Sequence, residues 1–150
     1  SDALFIRRNH LYPKLIINEA NAYTTDTMHR VTIKNNTNIK TLIASYYNSL
    51  SLAFAEICGR SHGGGVLELM PNEVEEIYIP YDNNNSELLP IIDDMIRSDT
   101  SINEILNYTN IQILKNNYGF SKKEINMIDD IRNKLTERRL KRGRKLSKYN

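Results

Sequence analysis

Gly59-Arg60-Ser61-His62-Gly63-Gly64-Gly65-Val66-Leu67-Glu68-Leu69-Met70-Pro71-Asn72-Glu73 follows directly on an apolar helical pattern and itself contains an apolar strand-like run, Val66–Met70. Three consecutive glycines remove every Cβ from a backbone segment, which can then turn sharply or lie against another surface. They also cost conformational entropy that a plain turn does not require, and their bare amides offer an anion such as phosphate a cradle. A flexible linker would not be set so tightly between two core elements. The turn is held in place for a reason.

Upstream, Ile39, Leu42, Ile43, Tyr46, Leu50, Ala53, Phe54 and Ile57 recur at the spacing of one helical face. This predicts a single long helix, capped at its start within Asn35-Asn36-Thr37-Asn38 and ended by Gly59. Before it, Ala3–Arg8, Lys14–Glu19 and Met28–Lys34 are short runs rich in Ile, Leu, Val and Thr, read as strands. After the glycines, Val66–Met70 reads as a strand and Pro71–Ile77 as a short helical turn with proline first. Asp82-Asn83-Asn84-Asn85-Ser86 reads as a loop and the main organisational boundary. Beyond it, Ser86–Arg97, Ser101–Asn117 and Ser121–Arg142 are helical, the last two opening with the capping boxes Ser101/Glu104 and Ser121/Glu124. The expected fold is α+β: a small mixed or antiparallel sheet on a long central helix over residues 1–81, then a helical extension over 86–150 with a basic tail.

Of the 150 residues, 40% are hydrophobic and 25% charged, the balance of a protein that buries a core. No apolar run approaches the ~20 residues of a membrane span, and Arg7, Arg8 and Asn9 interrupt the first apolar stretch, against a signal peptide. The lone Cys58 has no disulfide partner. Cytoplasm is the expected compartment. The opening Ser1-Asp2-Ala3, without an initiator methionine, reads as a piece of a longer protein.

The net charge of +2 conceals segregation: residues 1–40 carry +3, residues 41–131 carry −9 and residues 132–150 carry +8. Basic ends around an acidic middle point to an anionic partner at the ends, or to a solvated basic tail. Arg132, Lys134, Arg138, Arg139, Lys141, Arg142, Arg144, Lys145 and Lys148 face only Glu137 in opposition, so this tail is the strongest candidate for such an anionic contact.

Catalytic constellations are missing. His10, His29 and His62 are scattered rather than set at metal-ligand spacing. No Gly-x-Ser-x-Gly elbow, Walker loop or Gly-x-Gly-x-x-Gly occurs, and no acidic-x-Lys triplet of nuclease type. What remains is a set of polar and basic residues on loops: Arg7 and Arg8 at the end of the first strand, Thr24 and Thr25 before the strand that carries Arg30, and Arg60, Ser61 and His62 before Gly63, Gly64 and Gly65. Each has a plainer reading. Arg7 and Arg8 suit strand-end charges, Thr24–Asp26 a polar turn, and His62 a helix cap. Arg60 suits an ion pair with Glu56 or Glu68, and the glycines a tight internal turn.

The segment Ala53–Glu73, running on to Ile79-Pro80-Tyr81, resembles the C-terminal part of bacterial adenine-N6 DNA methyltransferases of restriction–modification systems. There a helix ends in a similar Gly-Arg-Ser-aromatic-Gly-Gly-Gly turn before a Leu-rich strand and a Pro–Glu step; here His62 stands for the aromatic residue. Pro13–Glu19 and Thr24–Arg30 match such domains as well, and the likeness covers about residues 4–81. The family's Asn/Asp-Pro-Pro-Tyr/Phe catalytic loop and glycine-rich cofactor loop are absent. The resemblance therefore implies a non-catalytic, DNA-binding target-recognition region, with double-stranded DNA as partner and a catalytic domain upstream in the same chain. It also implies S-adenosylmethionine as cofactor of the parent enzyme and none here. The DNA-contact candidates are Arg7, Arg8, Thr24, Thr25, Arg30, Arg60, Ser61, His62, Gly63–Gly65, Arg138, Arg139 and Arg142. The competing expectation is a subunit-docking module in which the acidic middle and late helices bind protein.

Overall fold

The computed structural model describes residues 1–147, with side chains to Lys145; Lys148 lies outside them. The architecture is α+β, as expected, with two small antiparallel sheets rather than one. In the first, β1 (Ala3–Ile6) is central, flanked by β3 (Leu15–Ile17) and β4 (Met28–Val31). In the second, β6 (Val66–Glu68) is central, between β2 (Arg8–Asn9) and β5 (Arg60–His62). The chain crosses between them at Arg7, whose N–H donates to Thr27 O at 3.1 Å while its carbonyl accepts from Leu69 N–H at 3.0 Å. A strand run expected as Ala3–Arg8 is thus divided between two sheets.

The predicted long helix is two: α1 (Ile39–Tyr46) and α2 (Ser49–Cys58). Asn48 makes the break. Its fully buried side chain accepts from Ser51 N–H at 3.0 Å as the cap of α2 and donates to Ser45 O, near the end of α1, at 2.6 Å. The break resets the helical phase, so Ile57, expected on the buried face, is 63% exposed. Asn38 caps α1 through Thr41 N–H, as read from the sequence.

Tyr46 and Tyr47 anchor α1 to the first sheet. Tyr46 stacks edge-on against Phe5 and donates to Pro13 O at 2.9 Å. The Tyr47 hydroxyl donates to Leu15 O at 2.7 Å and accepts from Leu15 N–H at 3.2 Å, so it satisfies the outer edge of β3 where another strand would otherwise pair. Burial holds both hydroxyls above the ordinary tyrosine range.

After α3 (Pro71–Val74), a 3-10 turn over Asn83–Leu88 leads into α4 (Leu89–Arg97). There Asn85, fully buried, donates to Ser45 Oγ and Pro80 O and accepts from Asn117. Next, α5 (Ile102–Thr109) widens into a π-helical segment, Asn110–Asn117. Asn110 there accepts from Ser49 N–H at 2.9 Å and donates to Ser49 Oγ at 2.8 Å. One buried apolar cluster joins Phe5, Leu15, Tyr46 and Leu67 to Ile92, Leu106, Leu114 and Ile125.

The last helix, α6 (Lys122–Ser147), is about 39 Å long at the usual rise per residue and continues past the expected end at Arg142. Its capping box forms in full: Ser121 N–H donates to Glu124 at 2.7 Å and Glu124 N–H to Ser121 Oγ at 3.2 Å. It lies along α2 and across the glycine turn. No helix among the described residues is long and apolar enough to cross a membrane.

Candidate nucleic-acid interface

The segment expected as a loop, Arg60–Gly65, is a hairpin: β5, a 3-10 turn over Gly63–Gly65, then β6. Gly64 and Gly65 both take φ near +78°, a conformation that residues bearing a Cβ rarely adopt. The surface against which the bare turn lies is the chain's own α6. A Cβ at Gly143 would come 2.7 Å from Gly64 O, and nearer still to the backbone of Gly64 and Gly65. Glycine meets glycine at that crossing.

Strand alternation then sorts the side chains. Arg8, Glu68 and Arg60 stand opposite one another across the second sheet, while Asn9, Leu67 and Ser61 form the next row on the other face. On the first face, Arg7 and Arg8 both donate through Nε to Glu68 Oε1, at 2.9 and 3.0 Å. His62 Nε2 lies 2.5 Å from Glu68 Oε2. Arg60 donates through Nε to Glu73 Oε1 at 2.7 Å, and Glu73 Oε2 accepts from Met70 N–H at the start of α3. The side chain of Glu68 is 7% exposed, whereas Arg8, Arg60 and His62 are 68%, 64% and 52% exposed. A buried carboxylate thus sits beneath a rim of exposed cationic and aromatic-nitrogen groups.

The hydrogen bond from Arg8 holds the Glu68 carboxyl below the usual carboxylate range, and the Met70 amide does the same for Glu73. A depressed carboxyl stabilises the fold above its unfolded pKa and loses that contribution as pH falls through the folded value. Glu68→Gln should therefore lower the urea midpoint at pH 7. It should also flatten the decline in midpoint expected of wild type as pH falls below about 4.3.

The other sequence candidates divide. Arg7 is largely spent inside: its Nη1 reaches Asp26 O and its Nη2 the Met70 sulfur. The turn before β4 thereby comes beside it, with Thr24 half-buried and Thr25 exposed, its hydroxyl 2.9 Å from that of Thr27. Arg30 is exposed on β4 of the other sheet and lines a separate cleft of about 340 Å³ with His29 and Pro71. Ser61 faces α6, in a groove of about 250 Å³ shared with Arg138 and Arg142, both exposed.

Arg139, read from the sequence as a surface cation, is instead buried. Its guanidinium binds Glu56 through Nε and Nη2 and also donates to the carbonyls of His10, Leu11 and Gly65. Arg132 is buried too, donating to Asp129 and Asn103. An amphipathic helix laid on acidic neighbours buries whichever cations fall on its inner face. Glu56 thus pairs with Arg139 and Glu68 with Arg7 and Arg8, so Arg60 takes a third partner, Glu73, which the sequence reading overlooked. The available clue was the carboxylate three residues after Met70, at the cap of α3.

Residues 1–114 match the family of the type II methyltransferase M.Eco57I, C-terminal domain. The chain belongs to that family. It is accordingly a C-terminal region of a restriction–modification methyltransferase, a class that implies a catalytic domain in the same chain. Comparison with curated proteins and with solved structures finds no match. The family match ends within the π-helical segment, so all of α6 lies beyond it. In this M.Eco57I C-terminal-type domain, the helix that covers the glycine turn thus lies outside the matched residues.

Proposed function

We infer that this domain is the DNA target-recognition region of an adenine-specific methyltransferase and carries no catalysis of its own. One observation carries the reading: Arg8, Arg60 and His62, from segments some 50 residues apart, present exposed side chains on one face of the second sheet. Methyl transfer to a base in a duplex requires that base to leave the stack, so another surface must grip and read the surrounding DNA. In this reading residues 1–81 carry the reading face and residues 86–150 supply α6, whose Arg138 and Arg142 contact phosphates. S-adenosylmethionine is held by the catalytic domain.

The test is duplex affinity of the full methyltransferase chain as a function of salt. Each phosphate neutralised contributes about 0.9 to the slope of log affinity against log salt. The Arg138→Ala/Arg142→Ala double variant should reduce affinity about equally for all sequences and lower the slope by roughly 1–2, with an unchanged melting temperature. Unchanged affinity and slope would leave the exposed face of α6 as a merely solvated surface.

A further inference from the structure

The exposed arginines fall into two classes by how their guanidinium groups are held. Arg8 and Arg60 each use Nε on a carboxylate, Glu68 and Glu73 respectively; Glu68 is buried, and Glu73 is half-buried and held by Met70 N–H. Among the described residues nothing engages the Nη atoms of either arginine. Arg138 and Arg142 on α6 have no carboxylate partner among the described residues; the nearby acids of that helix, Asp130 and Glu137, pair with Lys134 and Lys141.

These two arrangements suit different ligands. A phosphate contact is mainly a matter of charge, and a carboxylate within 3 Å cancels most of the charge it would use. A base-edge contact is a matter of direction. Guanine presents two acceptors, O6 and N7, side by side in the major groove, and an arginine fork meets both at once. An arginine pinned at Nε keeps its two Nη groups as that fork, with less rotamer freedom left to lose on binding.

Resting on the DNA-recognition reading above, we propose that Arg8 and Arg60 each read a guanine in the major groove through their Nη forks, with Glu68 and Glu73 as positioning residues. Both arginines stand opposite Glu68 on strands flanking β6. Their Cα atoms are thus two strand spacings apart, about 10 Å, which corresponds to roughly three base steps. The domain then specifies two guanines at about that separation. Arg138 and Arg142 supply affinity without sequence choice.

The experiment is selection of bound duplexes from a pool with a randomised central segment, using the full methyltransferase chain, with melting temperatures and salt slopes measured in parallel. Wild type should enrich two G·C pairs about three steps apart. Arg60→Ala should make one of them degenerate and weaken the selected site by roughly 10- to 100-fold, with random duplex affinity, salt slope and melting temperature nearly unchanged. Arg60→Lys, which keeps the charge but not the fork, should behave the same way. Arg8→Ala should relax the other position. Glu73→Gln should relax the same position as Arg60→Ala, a change that a purely structural carboxylate would not produce.

Uniform loss over all sequences with a shallower slope in Arg8→Ala or Arg60→Ala makes them phosphate contacts and overturns the proposal. So does an unaltered motif in those variants while Arg138→Ala/Arg142→Ala still weakens binding; in both cases DNA recognition by the domain stands. If neither pair of substitutions changes binding at all, the recognition reading itself falls. A motif relaxed by Arg60→Ala but untouched by Glu73→Gln removes the positioning role.

Discussion

Arg139→Ala is expected to cost about 3–5 kcal/mol, the usual penalty for stripping one partner from a buried ion pair. Domains of this size are stable by only ~5–15 kcal/mol, so the variant should lose a large part of that margin and melt roughly 6–20 °C below wild type. The reason lies in the number of groups one guanidinium serves. Both oxygens of Glu56 bond to it, Glu56 also accepts from Thr136 at 3.0 Å, and three backbone carbonyls from two distant segments share the remaining donors. Removing it leaves a charge and several carbonyls buried without partners. A double-mutant cycle with Glu56→Ala checks the account: the double variant should be destabilised by clearly less than the sum of the singles. Additive losses would show that Glu56 and Arg139 are merely neighbours. Any fall in DNA affinity in Arg139→Ala should follow the loss of folded protein, because its cation does not face solvent.

At Gly143, alanine should destabilise the domain by about 2–3 kcal/mol through overpacking. The sign is the informative part. Within a helix, exchanging glycine for alanine ordinarily stabilises by roughly 1 kcal/mol. Here the new methyl group would be driven into the backbone of Gly64 and Gly65, which has no flexible side chain to yield. The cost should appear as a lower denaturation midpoint, together with faster amide exchange in the glycine turn as α6 is pushed away. A variant more stable than wild type would mean that α6 does not rest on the turn at this point. Nothing lies within 4 Å of a Cβ placed at Gly64, so a side chain there is opposed by the backbone conformation rather than by space.

Much of the domain was legible along the chain because the rules involved act over a few residues. Asn38 caps α1, Pro71 opens α3, and Ser121 with Glu124 closes the box that starts α6, each within one helical turn of its partner. The glycine triplet announced a tight turn, and the apolar spacing on either side announced a helix and a strand. Asn48 was the local signal that misled: an apolar periodicity running through it reads as continuous helix, while its side chain, buried between Ser45 and Ser51, ends one helix and begins another.

By itself, then, the sequence determined the α+β class, the caps and turns, and the existence of a constrained glycine segment flanked by arginine. Only the tertiary structure decided what each charged group faces. Glu68 meets Arg7 and Arg8 from about 60 residues away and Glu56 meets Arg139 from 83, while Gly143 finds the turn that the three glycines form. The reason is one of range. Capping and periodicity are written in neighbouring residues, but a cation is buried or free, held by a carboxylate or open to a ligand, according to strand register and the face a helix presents. Those are settled when distant segments pack, and one register places Arg8 and Arg60 on the same row while turning Ser61, between Arg60 and His62, to the other side.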